Sequence, residues 1–249
     1  REMITGLGVY ASSSKDYEFQ NKCSRVGSGF ETEPGQDTAE FVYYSDDFNR
    51  YVGVGVSPYS YENHEGRNKL VHIWVPEQAS DDPSQYYLKY EFDWKMDKNR
   101  TYESREFFPV LSREDYPEIL KKYKLSEKKL AELLEKVIPL LFRKKNFLAM
   151  ILPDKTYSRE ECSDAARELT WLAIMLAPVL KEDRSRYCRN LSYSVFSEEN
   201  VAVVNMAYMT QNKGYKNFFE LGKETEGKVS ELCLILAKKA MESLDVYEH

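Results

Sequence analysis

Two histidines lie among carboxylates and amides, and that neighbourhood is where chemistry is first expected. His64 and His72 fall in SPYSYENHEGRNKLVHIWV (57–75), with Glu62, Asn63, Glu65, Arg67 and Asn68. An imidazole beside a carboxylate is the smallest set for general acid–base work near neutral pH. One reading is therefore a hydrolase or nuclease centre in which His64 or His72 is the base and Glu62 its carboxylate. The other makes Asn63–Asn68 a polar hairpin tip and sets His72 on a strand, its ring hydrogen-bonding across the sheet. The separation of the two imidazoles meets neither i,i+4 on a helix nor i,i+2 on a strand, so no metal site is expected.

Other chemistries leave fainter marks. GxxxxGK[ST] does not occur. Gly222-Lys223 lacks both the upstream glycine and the Ser/Thr, and no strand signal precedes it. Gly6-Leu7-Gly8 and Gly27-Ser28-Gly29 are not completed to GxGxxG, so no nucleotide cofactor, and no cofactor of any kind, is expected. There is no GxSxG, and Ser12–Ser14 reads as a turn. Cys23, Cys162, Cys188 and Cys233 form no CxxC pair and read as reduced, mostly buried thiols. Arg184, Arg186 and Arg189 surround Cys188. They are candidates to lower its pKa or to form an anion patch, although basic residues after a long helix are also what its dipole favours.

These residues need elements to hold them. The first part of the chain reads as strands and turns. Ile4–Ala11, Phe41–Tyr44, Tyr51–Ser57 and Leu70–Val75 are apolar, β-branched or aromatic runs between turn-formers. Tyr86–Trp94 alternates, with Tyr86, Leu88, Tyr90, Phe92 and Trp94 on one face, and is the cleanest strand. No helical period is read here. Pro109 and Pro117 bracket an irregular link. Ser126 caps a helix over Glu127–Arg143 whose Leu130, Leu133, Leu134, Val137, Ile138 and Leu141 form one stripe, with Pro139 late in it. Lys121–Lys129 reads as a solvated basic face. Phe147–Leu152 is a strand covered on both faces. Ser158 and Glu161 have capping-box spacing and open a largely buried helix reaching about Leu180. Leu191–Phe196 and Val201–Met206 are strands. A last helix over Gly227–Leu244 has Val229, Leu232, Cys233, Leu236, Ala240 and Leu244 inward. The expected class is α+β: a mostly antiparallel or mixed β-rich lobe (1–115), then a layered α/β lobe with a buried helix (116–249), the two being either separate or one continuous domain.

Composition bounds the partners. The net charge is -6, which argues against a nucleic-acid duplex. The longest apolar stretch, Leu169–Leu180, is short of the ~20 residues that span a bilayer, and no signal-peptide pattern opens the chain, so a cytoplasmic protein off the membrane is expected. Nineteen tyrosines, clustered at Tyr43-Tyr44, Tyr59/Tyr61 and Tyr86-Tyr87, suit either sheet packing or a protein-binding surface. Contact with a protein asks for less special chemistry than catalysis, and it is the preferred reading.

Two stretches together resemble a family. In YVGVGVSPYSYENHEGRNKLVHIWV (51–75), residues Glu62, Gly66, Arg67, Asn68, Leu70, His72 and Val75 are similar to a strand–turn–strand pattern of bacterial GTPase-associated proteins. Glu62 stands where Asp is commoner there. Leu148–Met206 repeats that family's order: a strand ending in Pro-Asp, an apolar helix ending Leu176-Ala177-Pro178, an Arg-rich link, then Leu-Ser-Tyr-Ser-Val-Phe (191–196). The resemblance implies a non-enzymatic, N-terminal adaptor module, working with a GTPase-like NTPase in a bacterial conflict or defence system. The second half also looks like the α/β part of DENN-type GTPase regulators at the level of fold. Arg67, able to grip a carboxylate bidentately, with Asn68, Arg184 and Arg186, are the binding candidates.

Overall fold

A computed structural model describes residues 15–30, 39–59, 68–76, 115–142, 147–153, 157–176, 189–195 and 204–242. Its sheet begins as a meander. β1 (Ala39–Ser45) and β2 (Arg50–Tyr59) pair antiparallel from Ala39–Val56 to Ser45–Arg50. Between them Asn49 takes φ 51°, a left-handed position that Asn tolerates better than most side chains. β3 (Asn68–Trp74) pairs antiparallel on the outer side of β2. β4 (Leu148–Ile151), β5 (Tyr193–Val195), β6 (Met206–Met209) and β7 (Phe218–Glu220) complete the seven-stranded order β3-β2-β1-β5-β6-β4-β7. β5 is antiparallel to β1, while β5, β6, β4 and β7 run parallel to one another. The class is α+β with a mixed sheet, as the sequence predicts, and strands from both sides of residue 115 share that sheet.

The helices follow capping chemistry. α1 (Tyr17–Ser28) starts where Asp16 accepts the Glu18 amide at 2.9 Å. It corrects the expectation that the first part carries no helix. Its apolar positions Phe19, Cys23 and Val26 make a stripe one residue wide, easily lost among polar neighbours. α2 (Tyr116–Lys122) was not foreseen, and residues 109–114 of the link expected between Pro109 and Pro117 lie outside the described residues. Pro117 sits in its first turn, where a missing N–H costs nothing. α2 ends in a Schellman turn: the Leu125 amide reaches the Leu120 carbonyl, the Lys124 amide the Lys121 carbonyl, and Lys124 takes φ 50°.

α3 (Glu127–Phe142) begins at Ser126, whose Oγ accepts the Lys129 amide at 3.2 Å. α4 (Arg159–Leu176) opens on a complete capping box, Glu161 N–H to Ser158 Oγ and Ser158 N–H to the Glu161 carboxylate. α5 (Glu231–Glu242) buries Cys233, Ala237 and Ala240. Leu232, expected inward, is 59% exposed. The small inward residues let α5 lie against α3 and α4, with Leu234 and Leu236 half-buried on the same core and Leu232 and Ile235 turned away.

Helices α2–α5 cover one face over the main core, in which Leu130, Leu133, Leu134, Trp171 and Leu172 are fully buried. α1 covers the other face over Val52, Val54 and Val56. Three further expectations change. Of the strand expected at Val201–Met206, residues 201–203 lie outside the described residues; the described strand starts only at Met206 and runs to Met209, after Asn205 turns its side chain back to the Ser192 and Asn190 backbone. β7 was not foreseen, so Gly222-Lys223 does follow a strand. Lys129 is buried rather than part of a solvated face: its ammonium pairs with Glu132 at 2.8 Å and lies 4.4 Å from the Phe219 ring centre. Ile4–Ala11 and Tyr86–Trp94 lie outside the described residues.

Candidate functional site

Among the described residues β3 is the outer strand on its side of the sheet, and one sequence-selected residue stands on it with its surroundings defined. His72 is opposite Gly55, half-buried, its ring 4.9 Å from that of Trp74 and tilted by 30°. Residues two apart on a strand share a face, so the pair forms one aromatic step. Val71 and Ile73 face the other way and pack on the α1 core. The strand's exit is held by Arg50, which donates to the Pro76 carbonyl at 2.6 Å and to the Phe48 carbonyl at 3.0 Å. All of residues 71–76 are half-buried. Asn68 is the first residue of β3, opposite Tyr59. Glu62, His64, Arg67, Arg184 and Arg186 lie outside the described residues, as does Cys188. Arg189, the third arginine of that link, sets its guanidinium 4.9 Å from the Tyr44 ring centre.

The register places a carboxylate in line with His72. His72 is opposite Gly55, and Gly55 is opposite Glu40, so two strand spacings of bare backbone separate imidazole and carboxylate along one row. Above Glu40 runs α4, and the Ser163 hydroxyl donates to its carboxylate. One turn on, Arg167 is buried and donates to Asp164 at 2.9 Å. Thr170 then hydrogen-bonds the fully buried Tyr208 hydroxyl at 2.7 Å. Ser163, Arg167 and Thr170 thus form a polar row along one face of α4, stitched to β1 at one end and β6 at the other. Sequence reading passed over it. The available signals were Glu40, the lone charge in AEFVYYS, and the 4,3 spacing of the stripe.

The phenols and the thiol around α4 are shifted toward the neutral state, while the capping carboxylate Glu161 is shifted toward the charged one. Burial, then the Glu168 hydrogen bond, pushes the Tyr123 phenol well above its ordinary range. Lys122 joins the same carboxylate at 2.8 Å. Burial raises Tyr157 too, with Glu161 adding to it. Burial, then Glu161 and Glu40, raises the Cys162 thiol. Burial pushes Cys23 up to about 11 and also raises Cys233. Burial thus disfavours the thiolate at each of these three cysteines.

A groove of about 300 Å³ lies between α3 and the entrance to β7, lined by Glu135, Lys136, Pro139, Leu140 and Asn217. Pro139 has no N–H to offer the Glu135 carbonyl one turn back, so the helix itself leaves that acceptor open beside the groove. Among the described residues no three His, Cys, Asp or Glu side chains are grouped to hold a metal ion. No helix there is long and apolar enough to cross a membrane. No family model, no curated protein and no solved structure matches the chain.

Proposed function

We propose that this chain is a non-enzymatic protein-interaction module that meets its partner along β3. The observation that supports this is β3, outermost on its side of the sheet among the described residues: seven residues long, half-buried on both faces over residues 71–76, braced by Arg50, and carrying the His72–Trp74 step. Aromatic side chains on a sheet strand offer a large, rigid contact area to a partner. A Trp at such a contact has the size and rigidity of a binding hot spot. The resemblance read from Glu62, Gly66, Arg67, Asn68 and His72 makes a GTPase-like NTPase the proposed partner, in a cytoplasmic bacterial setting.

The test is titration calorimetry of the chain against the GTPase-like protein encoded nearest its own gene. A complex with micromolar or tighter affinity is expected. Trp74→Ala should weaken it by about 2 kcal/mol, the scale of a hot spot, while leaving the thermal midpoint within a few degrees. Unchanged binding by Trp74→Ala removes β3 as the surface. Substrate turnover by the pure protein that His72→Ala abolishes would replace the whole reading with the hydrolase or nuclease one.

A further inference from the structure

α5 carries large apolar side chains on the side away from its packing face. Cys233, Ala237 and Ala240 face inward, whereas Leu232 is 59% and Ile235 46% exposed. At 100° per residue, Leu232, Ile235 and Lys239 fall on one stripe, and Glu231 lies at its edge. Lys238 is engaged within the helix by Glu242 at 3.7 Å. Glu231 and Lys239 are exposed and, among the described residues, neither is in an ion pair. Their placement has a symmetry: Ile235 is midway between them. A second α5 laid antiparallel about a two-fold axis at Ile235 would set Glu231 of each copy against Lys239 of the other. A parallel pairing would instead set like charges together.

We propose that this stripe is a self-complementary contact through which two copies of the chain associate, with Leu232 and Ile235 at its centre and two Glu231–Lys239 pairs at its ends. A closed two-fold contact uses the same patch on both partners, and one helix face with opposite charges equidistant from its middle satisfies that requirement. It is a weak contact, because a single helix face buries less than the ~800 Å² per partner of a standard interface. This surface is on a helix, apart from β3, so it stands or falls separately from the partner reading above.

Sedimentation velocity on the full chain, from about 1 to 200 μM at low and high salt, tests it. A monomer–dimer equilibrium with a dissociation constant on the order of tens of micromolar is expected, weakening as salt screens the end pairs. Ile235→Glu should raise the dissociation constant at least about tenfold with an unchanged circular-dichroism spectrum, since the side chain is exposed. Glu231→Lys and Lys239→Glu should each weaken association about threefold or more, and the two together should restore it. A monomer at every concentration overturns the proposal. So does a dimer indifferent to Ile235→Glu, which would place the contact elsewhere, or a double charge swap that fails to restore association. If another protein covers α5 instead, the pure chain stays monomeric and the first of these results is observed.

Discussion

The two ends of the sheet solve the same problem differently. In the parallel half every residue of β4 and β6 is buried. Helices α3, α4 and α5 lie on one face. On the other, the Asn212 side chain accepts the Gly214 and Tyr215 amides at 3.0 and 2.8 Å, folding residues 210–217 so that Tyr215 rests 4.9 Å from Phe147. The antiparallel half has α1 on one face and the main core over Val42 and Tyr51 on the other, and its outermost strand among the described residues, β3, is half-buried over 71–76. Backbone covered on both faces is committed to stability. Half-buried side chains still have apolar surface to gain from a partner, and that is the ground for proposing contact at β3 rather than at the better-packed strands.

The comparison can be broken at its strong end first. Trp171→Ala empties the middle of the α4 core and should cost about 3–5 kcal/mol by urea denaturation; a loss below about 1 kcal/mol would mean the parallel half is not the stable one. Thr170→Val should cost about 1–3 kcal/mol, because it strands the buried Tyr208 hydroxyl. Adding Tyr208→Phe should recover most of that loss, which a packing defect alone would not allow.

Ser158→Ala removes the α4 cap, for about 1 kcal/mol. It also has a pH signature. The Ser158 amide and hydroxyl hold the Glu161 carboxyl below its ordinary value. A depressed folded pKa stabilises above the unfolded pKa and loses that contribution as pH falls through the folded one. The gap between wild type and Ser158→Ala should therefore be constant at neutral pH and narrow in acid, below about pH 4.5; a gap that widens there would show that the box is not formed. The smallest effect belongs to the antiparallel half. Asp47→Asn breaks an exposed pair with Arg25 at 2.8 Å and should change stability by under about 1 kcal/mol. A larger loss would show α1 to be clamped as firmly as α4.

Legibility in the sequence follows the same divide. Helix α3, the capping box of α4, strand β4 and the β1–β3 meander are readable because each repeats a local rule several times in a row: an apolar stripe, a cap, an alternating run. α1 repeats its stripe on too narrow a track. β6 and β7 are set by long-range pairing, β6 by Asn205 reaching back to Ser192, and no local window contains both ends of that bond. For the site, His72 could be found by type and its strand by pattern. Its ring partner Trp74 could not, since stacking depends on rotamers. Glu40 and Ser163 are far apart in sequence and meet only because α4 crosses β1. Lys129 misled because a lysine-rich run says nothing of which member turns inward beneath Phe219.

β4 lies between β6 and β7, both of which come after it in the chain. As the polypeptide leaves the ribosome, Leu148–Ile151 emerges with neither neighbour yet made, and both of its edges stay bare until Met206–Glu220 has been translated. The nascent sheet therefore cannot close from its amino-terminal side onward, and a truncation before Met206 would expose a wholly apolar strand to any other chain in reach.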